Sequence, residues 1–232
     1  MLIKSIKPAG AAVASVGNPD AHVSFAQYGE DLILLPTLRK YGRLEGGFYV
    51  DVGAFHPFRF SNTALLHLHK GWRGVNIDAS PDAIALFNEH RPGDINILAA
   101  VSDEETDLEY VTFNKGNINS LDARMIKRWA GPDSPFTVKE RVRMRTQRLD
   151  TILGSLASPP DRIDLLSVDC EGLDYRVLNS NDWERFHPFA VLVECHGLRL
   201  DMVSGHPVHR LLARHGYRLV SHAFVTSLYI AP

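Results

Sequence analysis

The stretch FYVDVGAFHPFRFSN, residues 48–62, opens on a run of β-forming residues, Phe48 to Val52, that Gly53 breaks before a loop begins. Strand, glycine, loop and helix is the order in which α/β proteins build a nucleotide site. A dinucleotide loop continues with two more glycines, which let the backbone lie against a pyrophosphate. Here Phe55 and Phe58 stand in those places. The stretch therefore predicts a nucleotide-type fold whose loop serves some other ligand.

The flanking sequence repeats the unit. EDLILLPTLRKYG (30–42) has a helical apolar pattern that Pro36 is expected to kink or divide. After FYVDVGA (48–54), SNTALLHLHKG (61–71) reads as a short helix, GVNIDAS (74–80) as a strand, and Ser80-Pro81 as the capped start of the next helix. INILAAV (95–101) is a third strand. Residues 106–149 break the rhythm: DLEYVTF and RVRMRTQRL read as amphipathic strands, with Leu121, Met125 and Trp129 at helical spacing between them. Alternation resumes with IDLLSVD (163–169), a helix near 172–180, FAVLVEC (189–195) and a helix over 207–216. YRLVSHAF and TSLYIAP then stand back to back as a terminal hairpin. Strands buried on both faces and alternating with helices predict a doubly wound parallel sheet, into which the terminal hairpin puts one antiparallel strand. Residues 24–232 form one domain with an insertion at 106–149, preceded by a loose lead-in at 1–23.

Composition narrows the function. The chain has 232 residues, 45% of them hydrophobic, and a formal net charge of −2, which suits one domain and offers no electrostatic footprint for nucleic acid or an anionic membrane. The basic run KERVRMRTQR (139–148) alternates with Val142 and Met144, as a strand with one solvated face would. Cys170 and Cys195 both sit in apolar runs, which fits reduced thiols in a cytoplasmic protein. No apolar run approaches the roughly 18 residues of a membrane span, and Pro8 and Gly10 interrupt any signal-peptide core.

In an open parallel sheet, ligands sit beyond the carboxyl ends of the strands where the strand order reverses. Asp51 and Gly53 lie at such an end. The single glycine lets the chain turn close beneath a ligand, and the Asp51 carboxylate favours a cationic group where a pyrophosphate would be repelled. Asp78, ending the next strand, is placed to accept hydrogen bonds from two ribose hydroxyls. A nucleoside with a cationic amino-acid tail, S-adenosyl-L-methionine, satisfies both. A nicotinamide dehydrogenase of the short-chain type would need the missing glycines and a Tyr-x-x-x-Lys pair, which the sequence lacks.

These residues lie in blocks that resemble the FkbM-type S-adenosylmethionine-dependent methyltransferases. The blocks are FAQYGEDLIL (25–34), GFYVDVGAFHPFRFSNT (47–63), GWRGVNIDASP (71–81), INILAAVSDE (95–104), IDLLSVDCEGLDYRVLNSNDW (163–183) and VLVECHG (191–197), in the family's order. The resemblance implies a Rossmann-like class I methyltransferase sheet of seven strands with the last antiparallel and, most often, O-methylation. Cofactor contacts are then expected from Gln27 before the first strand. After that strand they come from Asp51, Gly53, Ala54, Phe55 and His56, with Asn62 further on. The later strand ends add Asp78, Ala79 and Ser80, then Val101 and Ser102, then Asp169.

A second constellation ends the next two strands: Asp169-Cys170-Glu171 and Glu194-Cys195-His196. If the chain stays extended, a spacing of two puts Asp169 with Glu171, and Glu194 with His196, on common sides. Crowded carboxylates share a proton or a cation. The catalytic expectation is therefore His196 as general base, with Glu194, Asp169 and Glu171 around it, and Asp169 also able to face the methionine ammonium. The alternative is Mg²⁺ or Mn²⁺ held by Asp169, Glu194 and His196. The plain structural reading makes Glu171 a helix cap and His196 a core histidine. The acceptor expected is the hydroxyl of a sugar, glycan or secondary metabolite; a small amine, or a non-catalytic cofactor-binding role, are the alternatives.

Overall fold

The computed structural model describes residues 22–232, so almost all of the lead-in lies outside the described residues. Helix α1 (Glu30–Lys40) runs through Pro36 without division. Leu34 and Leu38, one on each side of the proline, are both fully buried, and that packing holds the two halves in line. Then follow β1 (Phe48–Val52), α2 (Ala64–His69), β2 (Arg73–Asp78), α3 (Pro81–His90) and β3 (Ile95–Leu98). Ser80 caps α3 by accepting the Ala83 N–H, with Pro81 at the first helical position.

The third strand departs from its expected course. It splits at Ala99: β3 closes one edge of the main sheet, while β4 (Ala100–Val101) leaves it. β4 pairs in parallel with β6 (Val138–Gln147), and β6 pairs antiparallel with β5 (Asp107–Phe113). The two strands of the insertion thus join β4 in a small three-stranded sheet, with α4 (Ala123–Trp129) packed beside it through Ile126. The sequence could not show the split, because the same apolar residues suit either sheet.

Helix α5 (Leu149–Gly154) follows, unforeseen although Leu149, Ile152 and Leu153 have helical spacing and are all buried. The remaining elements are β7 (Leu165–Val168), α6 (Asp174–Asn179), β8 (Ala190–Glu194), α7 (Pro207–Arg214), β9 (Arg218–Ala223) and β10 (Thr226–Ile230). The main sheet has the order β3-β2-β1-β7-β8-β10-β9. Its neighbours are parallel except at β10, which runs antiparallel to both β8 and β9.

Alternation along β1 explains why apolar residues recur on both of its faces. Val50 and Val52 face one core, shared with α5, α6 and α7, while Tyr49 faces the other with Leu34 and Leu38 of α1. Both faces of the sheet are covered, as a parallel sheet requires. No helix among the described residues is long and apolar enough to cross a membrane.

Candidate active site

The strand order reverses between β2-β1 and β7-β8, so the carboxyl ends of β1 and β7 part and leave a crevice. A cavity of about 650 Å³ opens there. Asp51, Gly53, Ala54, Phe55 and His56 line it from the β1 side. Asp78, Ala79 and Ser80 contribute from the end of β2, and Val101 from β4. Asp169 and Glu171 line it beyond β7, and Gln27 and Asn62 stand at its edge. Ser102, expected among them, is fully buried outside the cavity, its N–H donated to the Gln147 carbonyl at 2.9 Å. The departure of β4 toward β6 takes it away.

Gly53 has a second reason to hold its place, beyond the one read from the sequence. It sits at φ 76, and a Cβ there would lie 1.8 Å from the Asp169 carbonyl oxygen. The close approach is to the chain that leaves β7, and Gly53 also lines the cavity. The adjoining N–H groups fix this junction: Gly53 donates to Ile77 O at 2.9 Å, and Asp169 donates to Val52 O at 3.0 Å. Three strand ends are stitched together at the floor of the cleft.

The loop after β1 is shaped by acceptors. Asp78 accepts the N–H of Phe55 at 2.8 Å and that of Ser80 at 2.7 Å, one on each carboxylate oxygen. His56 Nδ1 accepts the N–H groups of Phe58 and Arg59, both at 3.0 Å. Burial, with Arg59 and His90 nearby, lowers the His56 pKa, so the ring stays a neutral acceptor. Beneath the loop, fully buried Arg91 donates to Thr63, Ser61 and the Pro57 carbonyl, and Thr63 donates to Asp51 at 2.8 Å. Asn62 reaches Ser167 at 3.3 Å.

The carboxylates are held against their own solvation. Burial raises the pKa of Asp51 and carries that of Asp78 to about 6. Burial, then the charges of Glu194 and Glu171, push Asp169 well up. Glu171 rises to about 8 and Asp174 to about 7, both chiefly by burial and next by Glu194. A carboxyl raised in the folded state contributes stability below its unfolded pKa of about 4, and loses it as pH climbs through the folded value. His56, His206 and His215, lowered by burial, act in the opposite sense but are partly exposed. The ligand-free protein is therefore expected to lose thermal stability as pH rises from about 5 to about 8. Scanning calorimetry across that window checks it; a flat or rising melting temperature would mean the acids are compensated.

The second constellation does converge, but not on extended chain. β7 ends at Val168 and β8 at Glu194, and Glu171 turns back at φ 46. The Glu171 carbonyl accepts from Ser120 Oγ at 2.9 Å, which ties this turn to the insertion. Glu171 faces the cleft; His196 is not among the residues lining it. His196 Nε2 instead stands 3.0 Å from Glu194 Oε2, with nearly half of its side chain exposed, and that carboxylate raises its pKa. The compact acid set is not the one expected for a metal: ligand atoms of Asp169, Asp174 and Glu194 lie within 4.8 Å of one another, without His196. Asp174 in turn accepts the N–H groups of Cys170 at 2.8 Å and Gly172 at 3.2 Å, as a clamp on the turn.

Asp174 escaped the sequence reading because an acid in a helix's first turn looks like ordinary capping. The insertion's share of the wall also escaped. Tyr110, Thr112 and Phe113 of β5, with Asn119 and Ser120, close the cavity opposite β2 and β7. Only Asn119 and Ser120 carried a signal, as polar residues beside a helix start.

Seven strands in this order, parallel save for β10 slipped between β8 and β9, define a class I methyltransferase fold, with the cavity at its switch point. The profile of the methyltransferase FkbM domain matches residues 51–219, and the chain belongs to that family. Comparison with curated protein sequences finds no match. Among solved structures, methyltransferase FkbM from Methylobacillus flagellatus is 13% identical over 80% of this chain, with a TM-score of 0.47. This chain spans 43% of that one. A precorrin-6y C5,15-methyltransferase from Geobacter metallireducens is 13% identical over 90% of this chain and 91% of its own, with a TM-score of 0.42. A TehB-like SAM-dependent methyltransferase from Corynebacterium glutamicum is 12% identical over 95% and 92%, with a TM-score of 0.39.

Proposed function

We propose that the chain transfers a methyl group from S-adenosyl-L-methionine to a hydroxyl oxygen of a sugar, glycan or secondary-metabolite acceptor. One observation carries the reading. Asp78 and Asp169 line the cavity, half-buried and raised in pKa, and neither is in an ion pair among the described residues. Such a site repels pyrophosphate and gains from a ligand that is both a nucleoside and a cation.

The residues suit that donor. Each Asp78 oxygen takes one backbone N–H, which leaves lone pairs for a ribose diol. Asp169 has no donor of its own among the described hydrogen bonds and is the natural partner of an ammonium. When bound, the donor supplies an activated methyl group on a sulfonium sulfur. The chain's part is to hold the acceptor oxygen in line and take its proton. Glu171, on the cleft wall with a pKa of about 8, fills the role of base better than His196, which stands off the cleft and is tied to Glu194.

Calorimetry tests the donor. S-adenosyl-L-methionine and S-adenosylhomocysteine are expected to bind, and NAD is not. Asp78→Ala is expected to weaken binding by about 1–3 kcal/mol, the cost of stranding buried hydroxyls without an acceptor. Unchanged affinity in a folded variant would remove Asp78 from the site.

A further inference from the structure

Arg91, the residue that ends α3, is wholly buried. Folding alone does not explain it. A buried cation loses its hydration, and an apolar side chain of similar size would stabilise the fold as well or better. Arg91 also has no direct ion pair among the described residues.

It meets two acids instead, each through a single hydroxyl. Nη1 donates to Thr63 Oγ1 at 2.9 Å, and Thr63 donates to Asp51 Oδ2 at 2.8 Å. Nη1 also donates to Tyr49 Oη at 3.2 Å, and Tyr49 donates to Asp94. Nη2 donates to Ser61 Oγ at 3.1 Å and to the Pro57 carbonyl, so the same guanidinium grips the loop that follows β1.

Thr63 shows what the arrangement serves. It stands at the N-cap of α2, where a threonine hydroxyl ordinarily accepts a helix N–H, yet its side chain caps nothing. Its one proton goes to Asp51, and its oxygen takes Arg91. A capping bond is thus exchanged for a hydrogen bond to a carboxylate that lines the cleft.

Asp51 needs that support. Burial works against its charge, and so does Asp94; the Thr63 and Ser167 hydroxyls and the Arg91 cation work for it. Asp51 is itself among the charges that raise Asp78, Asp169 and Cys170 around the same floor. Arg91 is the cation set against this crowd of acids, and it stands behind Asp51, outside the set of residues that line the cavity.

We propose that Arg91 is a positioning residue for the amino-acid end of the donor: through the Thr63 hydroxyl it holds the Asp51 carboxylate in place and balances its charge, so that Asp51 shares the donor's ammonium with Asp169. This rests on the methyl-transfer reading and assigns the residues that prepare its donor site. Thr63→Val keeps the side chain's shape and removes the link, while Arg91→Met removes the cation at greater risk to the fold. Calorimetry near neutral pH compares S-adenosylhomocysteine, which carries the amino-acid end, with methylthioadenosine, which lacks it. Thr63→Val is expected to weaken S-adenosylhomocysteine at least about fivefold and to leave methylthioadenosine within about twofold of wild type. Equal weakening of the two ligands, as a purely structural role would give, or weakening of neither, would overturn the proposal. Carboxyl-carbon NMR on the ligand-free protein, with Asp51→Asn to assign the resonance, reads the link directly. Asp51 is expected to titrate at a higher pH in Thr63→Val than in wild type, because its ionised form loses a donor. An unmoved titration would also overturn the proposal. If the titration moves as expected while S-adenosylhomocysteine fails to bind the wild type, the link from Arg91 to Asp51 stands and the methyl-transfer reading falls.

Discussion

Glu171→Gln is expected to lose methyl transfer by roughly 10²-fold or more while binding the cofactor normally, the usual scale for a removed general base. Glu171 lines the cleft where the chain turns after β7, and Ser120 anchors that turn through the Glu171 carbonyl. Burial and the Glu194 charge set its pKa at about 8, so near neutrality much of it is protonated. The rate of the wild type should therefore rise with pH as the carboxylate forms. A bound sulfonium favours the ionised form and moves the inflection below 8. Glutamine keeps the shape and removes the titration, so the variant's profile should be flat. His196→Ala, which the sequence alone makes the first choice for the base, is expected to cost less than about tenfold, because that ring stands off the cleft. A fully active Glu171→Gln would take the base out of the mechanism. The amine-acceptor reading, which needs only a neutral nucleophile, would then move ahead.

Gly53→Val is expected to destabilise the fold by about 4 kcal/mol or more, in the range reserved for severe core defects. The new Cβ would start 1.8 Å from the Asp169 carbonyl, and a β-branched residue would have to hold φ 76. Neither strand end can retreat freely, since Gly53 is bonded to Ile77 and Asp169 to Val52. Any relief therefore moves Asp78 and Asp169 together, and cofactor binding goes with them. Gly29→Ala is the control: φ is 85 there, but nothing lies within 4 Å of the new Cβ. It should cost only about 1–2 kcal/mol of backbone strain. Urea unfolding curves separate the two. If Gly53→Val unfolds at the wild-type midpoint, the contact between the β1 and β7 turns is looser than described.

The cores of the seven main strands were legible because strands buried on both faces leave mostly apolar runs, as Phe48–Val52 and Leu165–Val168 do with Asp51 and Ser167 as their only polar members. The acids at their ends were visible too, although a strand-end carboxylate also serves as a cap or loop anchor, as Asp78 does for Phe55 and Ser80. Pro36, by contrast, misled: a local rule about helix breaking yielded to the burial of Leu34 and Leu38. The split of the third strand at Ala99 left no trace in sequence, because pairing partners, not residue types, decide where Ala100 and Val101 go.

What the sequence by itself determined is the alternating architecture, the site at the ends of β1, β2 and β7, and the acidic character of that site. These follow from hydrophobic period and strand-end chemistry, both local properties of the chain. What only the tertiary structure decided is which acids face the cleft. Glu171 turns in and His196 stays out because the chain leaves β7 and β8 by turns whose direction depends on contacts with Ser120, Asp174 and the β9–β10 hairpin. Gly53 likewise answers to Asp169, more than a hundred residues away in sequence and a Cβ's width away in space. Close approaches between distant segments are set by packing, and a single chain read in order carries no record of them.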